Sequence, residues 1–108
     1  MEFYRINAQM LPKVNFVDET EIRPPYVHRK RRAGEQILYF IRHGEMHLLE
    51  DGKPLILKPG DVCLLDKNRT HEGTKATTCN YYYVHFMHGE MEPVSYTHLR
   101  AHETELHL

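Results

Sequence analysis

The stretch that decides the fold runs from Ile37 to Leu65 and reads ILYFIRHGEMHLLEDGKPLILKPGDVCLL. Asp51-Gly52 in its middle is a hairpin signal, because both central positions of a type I′ turn need a positive φ, which these residue types tolerate. Residues 58–61, KPGD, indicate a second turn. The apolar run over 37–41 has the length of a strand and predicts one that is covered on both faces. The stretch therefore predicts short strands joined by tight turns.

The flanking sequence adds a late strand and an early arm. Residues 81–86, YYYVHF, are rich in aromatic and β-branched types and predict a strand. Residues 1–25 are interrupted by prolines and predict an irregular arm, in which 14–17 could form a short strand. No helical periodicity separates the predicted strands. We therefore expect an all-β sandwich or barrel.

Length and composition narrow the class of protein. With 108 residues, of which 41% are hydrophobic and 27% charged, the chain has room for one globular domain. A formal net charge of −1 argues against the domain itself wrapping nucleic acid, which needs a basic surface. No apolar run approaches the roughly 20 residues of a membrane span, and no secretory signal is evident, so we expect a cytoplasmic protein without a membrane partner. Cys63 and Cys79 do not have the number or spacing of a disulfide framework.

The last residues resemble a sequence from outside the gene. Pro93 to Thr104 agrees, over twelve consecutive residues, with one reading frame of the transposase end and adapter used to prepare sequencing libraries. We interpret 93–108 as adapter-derived and exclude it, with its three histidines, from fold reasoning; the alternative is a genuine short helix. The expected organisation is an arm over 1–25, a truncated β domain over 26–92 and a foreign tail. The natural gene is then expected to continue past Glu92.

Several short motifs follow one another in a characteristic order. They are Tyr39-Phe40-Ile41-x-x-Gly44-Glu45, Pro59-Gly60-Asp61, Thr70-His71 and the closing Tyr82-Tyr83-Val84-His85-Phe86. Together they resemble the N-terminal effector domain of AraC-family transcription regulators, over about 26–86. The resemblance implies a cupin-like double-stranded β-helix, a jelly-roll barrel here incomplete at its C-terminus, that binds a sugar or related small effector without a cofactor. It also implies a homodimer, and DNA contact only through helix-turn-helix units that this chain lacks.

A metal enzyme is the alternative within the same group of folds, because enzymatic cupins bind a metal through three histidines and a glutamate. The second of their two motifs keeps His71 here. The first places Ile37 at its glutamate position and residues 30–32, KRR, at or beside its histidine positions. Neither isoleucine nor a cationic side chain donates to a metal. We therefore expect no metal and no catalytic residues, while a rearranged site with His28 and His85 stays conceivable.

The candidate ligand-binding residues come from four places in the sequence. Tyr81 and Tyr83 share one face of the late strand, and aromatic faces stack on sugar rings. Arg29 and Arg31 belong to a basic run and offer planar forks to a carboxylate, a phosphate or a sugar diol. The structural alternatives are tyrosines that only pack, a solvated basic hairpin, and a histidine that only closes a loop. The full predicted set is Arg29, Arg31, Tyr39, His71, Tyr81 and Tyr83.

Three functions remain open at this point. The favoured one is a ligand-sensing domain of a DNA-binding regulator, which is not an enzyme. The second is a small stand-alone cupin enzyme of the isomerase, epimerase or dioxygenase type. The third is a fragment without a stable fold, which predicts no cooperative melting.

Overall fold

The computed structural model describes residues 3–94 and 105–107, with side chains over 4–93. Within these ranges the chain forms strands and no helix, so no helix there is long and apolar enough to cross a membrane. The predicted all-β class is confirmed. The strands are β1 (Phe3–Ile6), β2 (Lys13–Ile22), β3 (Gln36–Gly44), β4 (Met46–Glu50), β5 (Lys53–Leu57), β6 (Val62–Leu65), β7 (His71–Lys75), β8 (Cys79–Met87), β9 (Met91–Val94) and β10 (Glu105–His107).

The chain divides into two compact units. One consists of Met1–Lys13 with Met87–Leu108 and contains a three-stranded sheet in the order β10-β1-β9. The other consists of Val14–Phe86 and contains a four-stranded sheet, β2-β8-β3-β6, and a three-stranded sheet, β5-β4-β7. The larger unit holds all six predicted ligand-binding residues.

The turn chemistry sets the register of the hairpin between β4 and β5. Asp51 and Gly52 have φ values of 46° and 83°, so the predicted type I′ turn is confirmed. Thr70 is held beside this turn, because its backbone N–H donates to the Asp51 carboxylate at 2.7 Å. The turn thereby fixes one end of β7 against the hairpin.

One apolar core lies between the inner faces of the two sheets of the larger unit. Its buried residues come from five strands, β3, β4, β5, β6 and β8, so both sheets contribute. Alternate residues of each strand point inward, as the period of two requires. The cluster consists of Ile37, Tyr39, Ile41, Met46, Leu48, Leu57, Leu65, Cys79 and Tyr81.

The prediction that the 37–41 strand is covered on both faces is wrong. Only one face of β3 enters the core, and the side chain of Phe40 on the other face is 37% exposed. Phe40 pairs with Val62 of β6 and Tyr82 of β8, which are also exposed. A continuous apolar run therefore marks here a strand with one buried face and one apolar outer face.

Both ends of the chain carry more regular structure than expected. Residues 1–25, predicted to be an irregular arm, contain β1 and β2, and the proposed short strand over 14–17 lies within β2. Pro93 and Val94 end β9, and Glu105–His107 forms β10, while the possible helix over the tail falls largely on residues outside the described ranges. The adapter origin of 93–108 stays a prediction.

Candidate functional site

Two adjoining cavities lie in the larger unit, each of about 330 Å³. They share Arg31, Tyr39 and Tyr81, so they form one divided site, called here the tyrosine cavity. Their size is at the lower end of small-molecule sites. The remaining lining residues are Tyr26, His28 and Arg29 on one side, and Phe16, Thr20, Tyr83 and His85 on the other.

The sequence prediction agrees well with this lining. Five of the six candidates, Arg29, Arg31, Tyr39, Tyr81 and Tyr83, lie around the tyrosine cavity, whereas His71 is not among its lining residues. Alternation along β8 explains the tyrosines, since Tyr81, Tyr83 and His85 share one face of the strand. His85 belongs to the same alternation and could have been added from the sequence.

The tyrosines come from two adjacent strands. β3 and β8 are paired in antiparallel fashion with Tyr39 opposite Tyr83, which brings the ring of Tyr39 within 4.6 Å of that of Tyr81, between centroids. The ring of Tyr83 lies 6.2 Å from Tyr81. Burial raises the pKa of both the Tyr39 and the Tyr81 hydroxyl, so both remain protonated donors at neutral pH. The result is an aromatic wall with hydroxyl groups.

The segment 28–31 forms the basic side of the cavity, and β7 holds it in place. Arg31 and His71 exchange two backbone hydrogen bonds of 2.8 and 2.9 Å, and the Gly73 N–H donates to the His28 carbonyl at 2.7 Å. The approach is close because residue 73 is glycine: a Cβ there would lie 2.5 Å from His28 N. The two backbones can meet only without a side chain at this position.

His28 is a buried neutral base beside the tyrosine wall. The residue is only 7% exposed, and its Nε2 lies 3.1 Å from the Tyr39 hydroxyl. Burial, reinforced by the positive charge of Arg31, lowers the pKa of His28 to about 4. Nδ1 is also buried and makes no hydrogen bond in the structure. A polar ligand atom or a water in the cavity could satisfy it.

On the other side of the cavity, a carboxylate orients the ring of His85. Glu35 accepts a hydrogen bond from His85 Nδ1 at 2.8 Å and one from the Asn15 amide at 2.6 Å. These two bonds, that of Asn15 first, lower the pKa of the Glu35 carboxyl, so it stays ionised. Phe16 on β2 packs against both His85 and Tyr83, at 6.3 and 5.8 Å between ring centroids. No local sequence signal marks Phe16 or Thr20, because β2 reaches this place only by long-range pairing with β8.

His71, predicted to bind the ligand, does not line the cavity and contacts a carboxylate. Its residue is 2% exposed, and its Nε2 lies 2.9 Å from a Glu50 oxygen. Arg69 donates to the other Glu50 oxygen at 2.9 Å. The hydrogen bond with His71, followed by the contact with Arg69, lowers the pKa of the Glu50 carboxyl. These contacts agree with the structural alternative, a hydrogen-bonded histidine that only closes a loop.

The residues of this chain do not fit the metal site of enzymatic cupins. The side chain of Ile37 stands fully buried in the core at the glutamate position, and His71 is engaged by Glu50. Over residues 4–93, whose side chains the structure describes, no group of three or more His, Cys, Asp and Glu residues is arranged to hold a metal ion.

Acid should destabilise the protein through His28, and replacing it by glutamine should remove this effect. The unfolded chain binds a proton at His28 near pH 6.5, whereas the folded protein binds it only near pH 4. The unfolded state therefore holds more protons in this window, and the stability that is present above pH 6.5 falls by about 3 kcal/mol as the pH drops through it.

Urea unfolding of wild type and His28→Gln at pH 7.5 and 4.5 measures the contribution. We expect the unfolding free energy of the variant to fall less on acidification, by roughly 2–3 kcal/mol. His43→Gln is the matched control, because His43 is exposed. Parallel pH profiles for wild type and His28→Gln would contradict the assignment.

Comparison with known proteins identifies the domain. The family model described as AraC-like ligand binding domain matches residues 20–105, which include the whole tyrosine cavity except Phe16. No curated protein matches the chain. The family match agrees with the predicted resemblance, which is thereby confirmed.

Solved structures show the same architecture. A cupin protein from Bacteroides fragilis is similar with a TM-score of 0.59 at 14% identity, over 73% of this chain and 70% of that one. A protein from Neisseria meningitidis has a TM-score of 0.56 at 12% identity, over 69% and 81%. A predicted oxalate decarboxylase from Thermotoga maritima has a TM-score of 0.55 at 25% identity, over 69% and 68%. The chain therefore belongs to the family of AraC-like ligand binding domains and has a cupin-like β fold.

Proposed function

We propose that this domain senses a small sugar-like effector for an AraC-family transcription regulator and binds it in the tyrosine cavity. The observation that carries the proposal is the meeting of Arg31, Tyr39 and Tyr81 at the centre of the cavity, within a domain of a ligand-binding family. Aromatic rings offer stacking surface to a sugar ring, and the hydroxyls and guanidinium offer hydrogen bonds to its edge.

Effector binding would act by shifting the population of two arrangements of the protein. Phe16 and Thr20 of β2 line the cavity, so a ligand there contacts this strand directly. A ligand that favours one position of this strand changes the contacts that the strand can make with the rest of the regulator. DNA would be read by helix-turn-helix units outside this sequence, in a cytoplasmic protein that forms homodimers.

The domain is proposed to bind without catalysing a reaction. The competing candidate is a cupin enzyme, which the similarity to the predicted oxalate decarboxylase supports. The residues at the metal positions favour binding alone, since an isoleucine and a basic run replace the ligands of the first motif. Elemental analysis of the purified protein separates the two functions. A stoichiometric divalent ion would support the enzyme and contradict binding alone.

The natural gene provides the direct test of the regulator. The DNA that follows the Glu92 codon is expected to encode the remaining strands and a helix-turn-helix pair. The full-length product should then bind DNA upstream of nearby genes in a mobility-shift assay, and a small molecule should change that affinity. A stop codon within a few dozen codons of Glu92 would refute this function.

A further inference from the structure

The tyrosine cavity carries positive charge that no side chain of its lining neutralises. Two arginines, Arg29 and Arg31, line it, and none of the other lining residues is an aspartate or a glutamate. His28, which also lines the cavity, is neutral near pH 7, because burial and the same arginines lower its pKa. Two guanidinium groups in a concave site attract an anion.

The other arginines of the larger unit have different surroundings. Arg23 pairs with Glu21, Arg42 with Glu19 and Arg69 with Glu50. Arg32 donates to the Lys67 carbonyl at 3.4 Å. Among the residues that the structure describes, no carboxylate forms a salt bridge with either cavity arginine. Acidic partners are thus available in this unit, and the carboxylate beside the cavity, Glu35, bonds His85 and Asn15 on the far side instead of an arginine.

The position of Arg31 is fixed well enough to give a directed contact. Two backbone hydrogen bonds tie it to His71, and its guanidinium lies close enough to the Tyr39 hydroxyl to oppose the rise of that pKa. Because the backbone of Arg31 is already ordered, ligand binding to its planar guanidinium does not cost additional backbone entropy. An oxyanion can accept two parallel hydrogen bonds from it.

The far side of the cavity favours hydroxyl groups. Glu35 accepts from His85 Nδ1, and a carboxylate only accepts, so this nitrogen carries the proton. The other ring nitrogen, Nε2, is then left to form a hydrogen bond with a ligand hydroxyl. Thr20 and Tyr83 on the same side add hydroxyls of their own. The two sides of the site therefore differ: two guanidinium groups line one side, and two hydroxyls with an imidazole line the other.

We propose that the effector is a hydroxylated organic anion of monosaccharide size, a sugar acid or a sugar phosphate, whose anionic group binds Arg31 and Arg29. Its ring lies against Tyr81 and its hydroxyls reach the His85 side. This assignment rests on the proposed function, since it names the ligand class of the same cavity. Both sources share the chemistry of an oxyanion beside hydroxyls.

Calorimetric titration of the purified chain with matched pairs tests the charge. The panel contains galactose and galacturonate, glucose with glucuronate, gluconate and glucose 6-phosphate, and benzoate. We expect at least one hydroxylated anion to bind roughly tenfold or more tightly than its neutral parent, as a charge-assisted contact predicts. The order of carboxylates and phosphate then assigns the source of the oxyanion.

Each contrary result overturns a stated part. Neutral sugars that bind as well as their acids would overturn the inference and leave the proposed function intact. Benzoate binding more tightly than every hydroxylated anion would overturn the role of the hydroxyls. No binding by any member of the panel would overturn both the inference and sugar-like effector sensing.

Arg31→Gln tests the residue, with Arg23→Gln as the matched control outside the cavity. We expect Arg31→Gln to reduce the preference for the anion over its neutral parent by roughly tenfold, and Arg23→Gln to leave it unchanged. A purely structural role would weaken both ligands equally. Arg29→Gln, at an exposed residue, provides a second variant should Arg31→Gln fail to fold. An unchanged preference in both cavity variants would refute the assignment.

Discussion

Replacing Gly44 by alanine should lower the free energy of unfolding by roughly 3 kcal/mol or more, from two causes that add. Gly44 has a φ of 76°, in the left-handed region, which costs an L-residue about 1–2 kcal/mol. A Cβ at this position would also lie 2.0 Å from the Thr78 carbonyl oxygen and 2.8 Å from its carbonyl carbon. Both neighbours are backbone atoms, so relief requires a shift of the chain that precedes β8.

Gly52→Ala separates the two causes. Gly52 has a φ of 83°, but a Cβ there would meet no atom within 4 Å. It should therefore lose only the conformational cost, about 1–2 kcal/mol. Urea unfolding followed by circular dichroism measures both variants. Equal losses for Gly44→Ala and Gly52→Ala would show that the close approach to Thr78 does not matter.

Gly73→Ala should weaken both the fold and ligand binding. The added Cβ would lie 2.5 Å from the N atom and 2.8 Å from the O atom of His28, so the alanine must push the 28–31 segment away from β7. Overpacking of this kind costs about 1–3 kcal/mol of stability. The same displacement moves Arg29 and Arg31 at the wall of the cavity, and the tightest-binding member of the sugar and anion panel should lose roughly tenfold in affinity.

Gly34→Ala is the control for this prediction. Gly34 precedes Glu35 in the same connection to β3, yet a Cβ there would meet nothing within 4 Å. Calorimetric titration should give its affinity as wild type, and thermal melting its stability as wild type or slightly higher. Unaltered affinity in Gly73→Ala would mean that the 28–31 segment does not position the ligand.

Local chemistry made much of the fold predictable. The residue types of Asp51-Gly52 alone predicted a type I′ turn, and the turn has the expected positive φ values. The order of the turns and apolar runs was enough to indicate an all-β sandwich or barrel, and the resemblance of the motifs to a known family added the cupin-like fold. The same order placed Tyr39 near Tyr81, because β3 and β8 are neighbours in such a fold, whereas Arg31 is held by backbone hydrogen bonds to His71 of β7.

Long-range contacts account for what the sequence did not reveal. Phe16 and Thr20 reach the cavity through pairing of β2 with β8, which no local pattern encodes. His71 was predicted to face the ligand, but Glu50, 21 positions earlier, takes its ring. The apolar run of β3 could not show that its outer face, with Phe40, lacks a cover within the unit. Sequence gives the residue types of a site more readily than the partners that compete for them.

The junction between the 28–31 segment and β7 also provides a means of observation. Three amide protons, those of Arg31, His71 and Gly73, form hydrogen bonds across this junction at the edge of the cavity. Their exchange with solvent deuterium reports how often this junction opens. Occupancy of the cavity can therefore be followed in the protein itself at three known positions, without a labelled ligand and before the ligand has been identified.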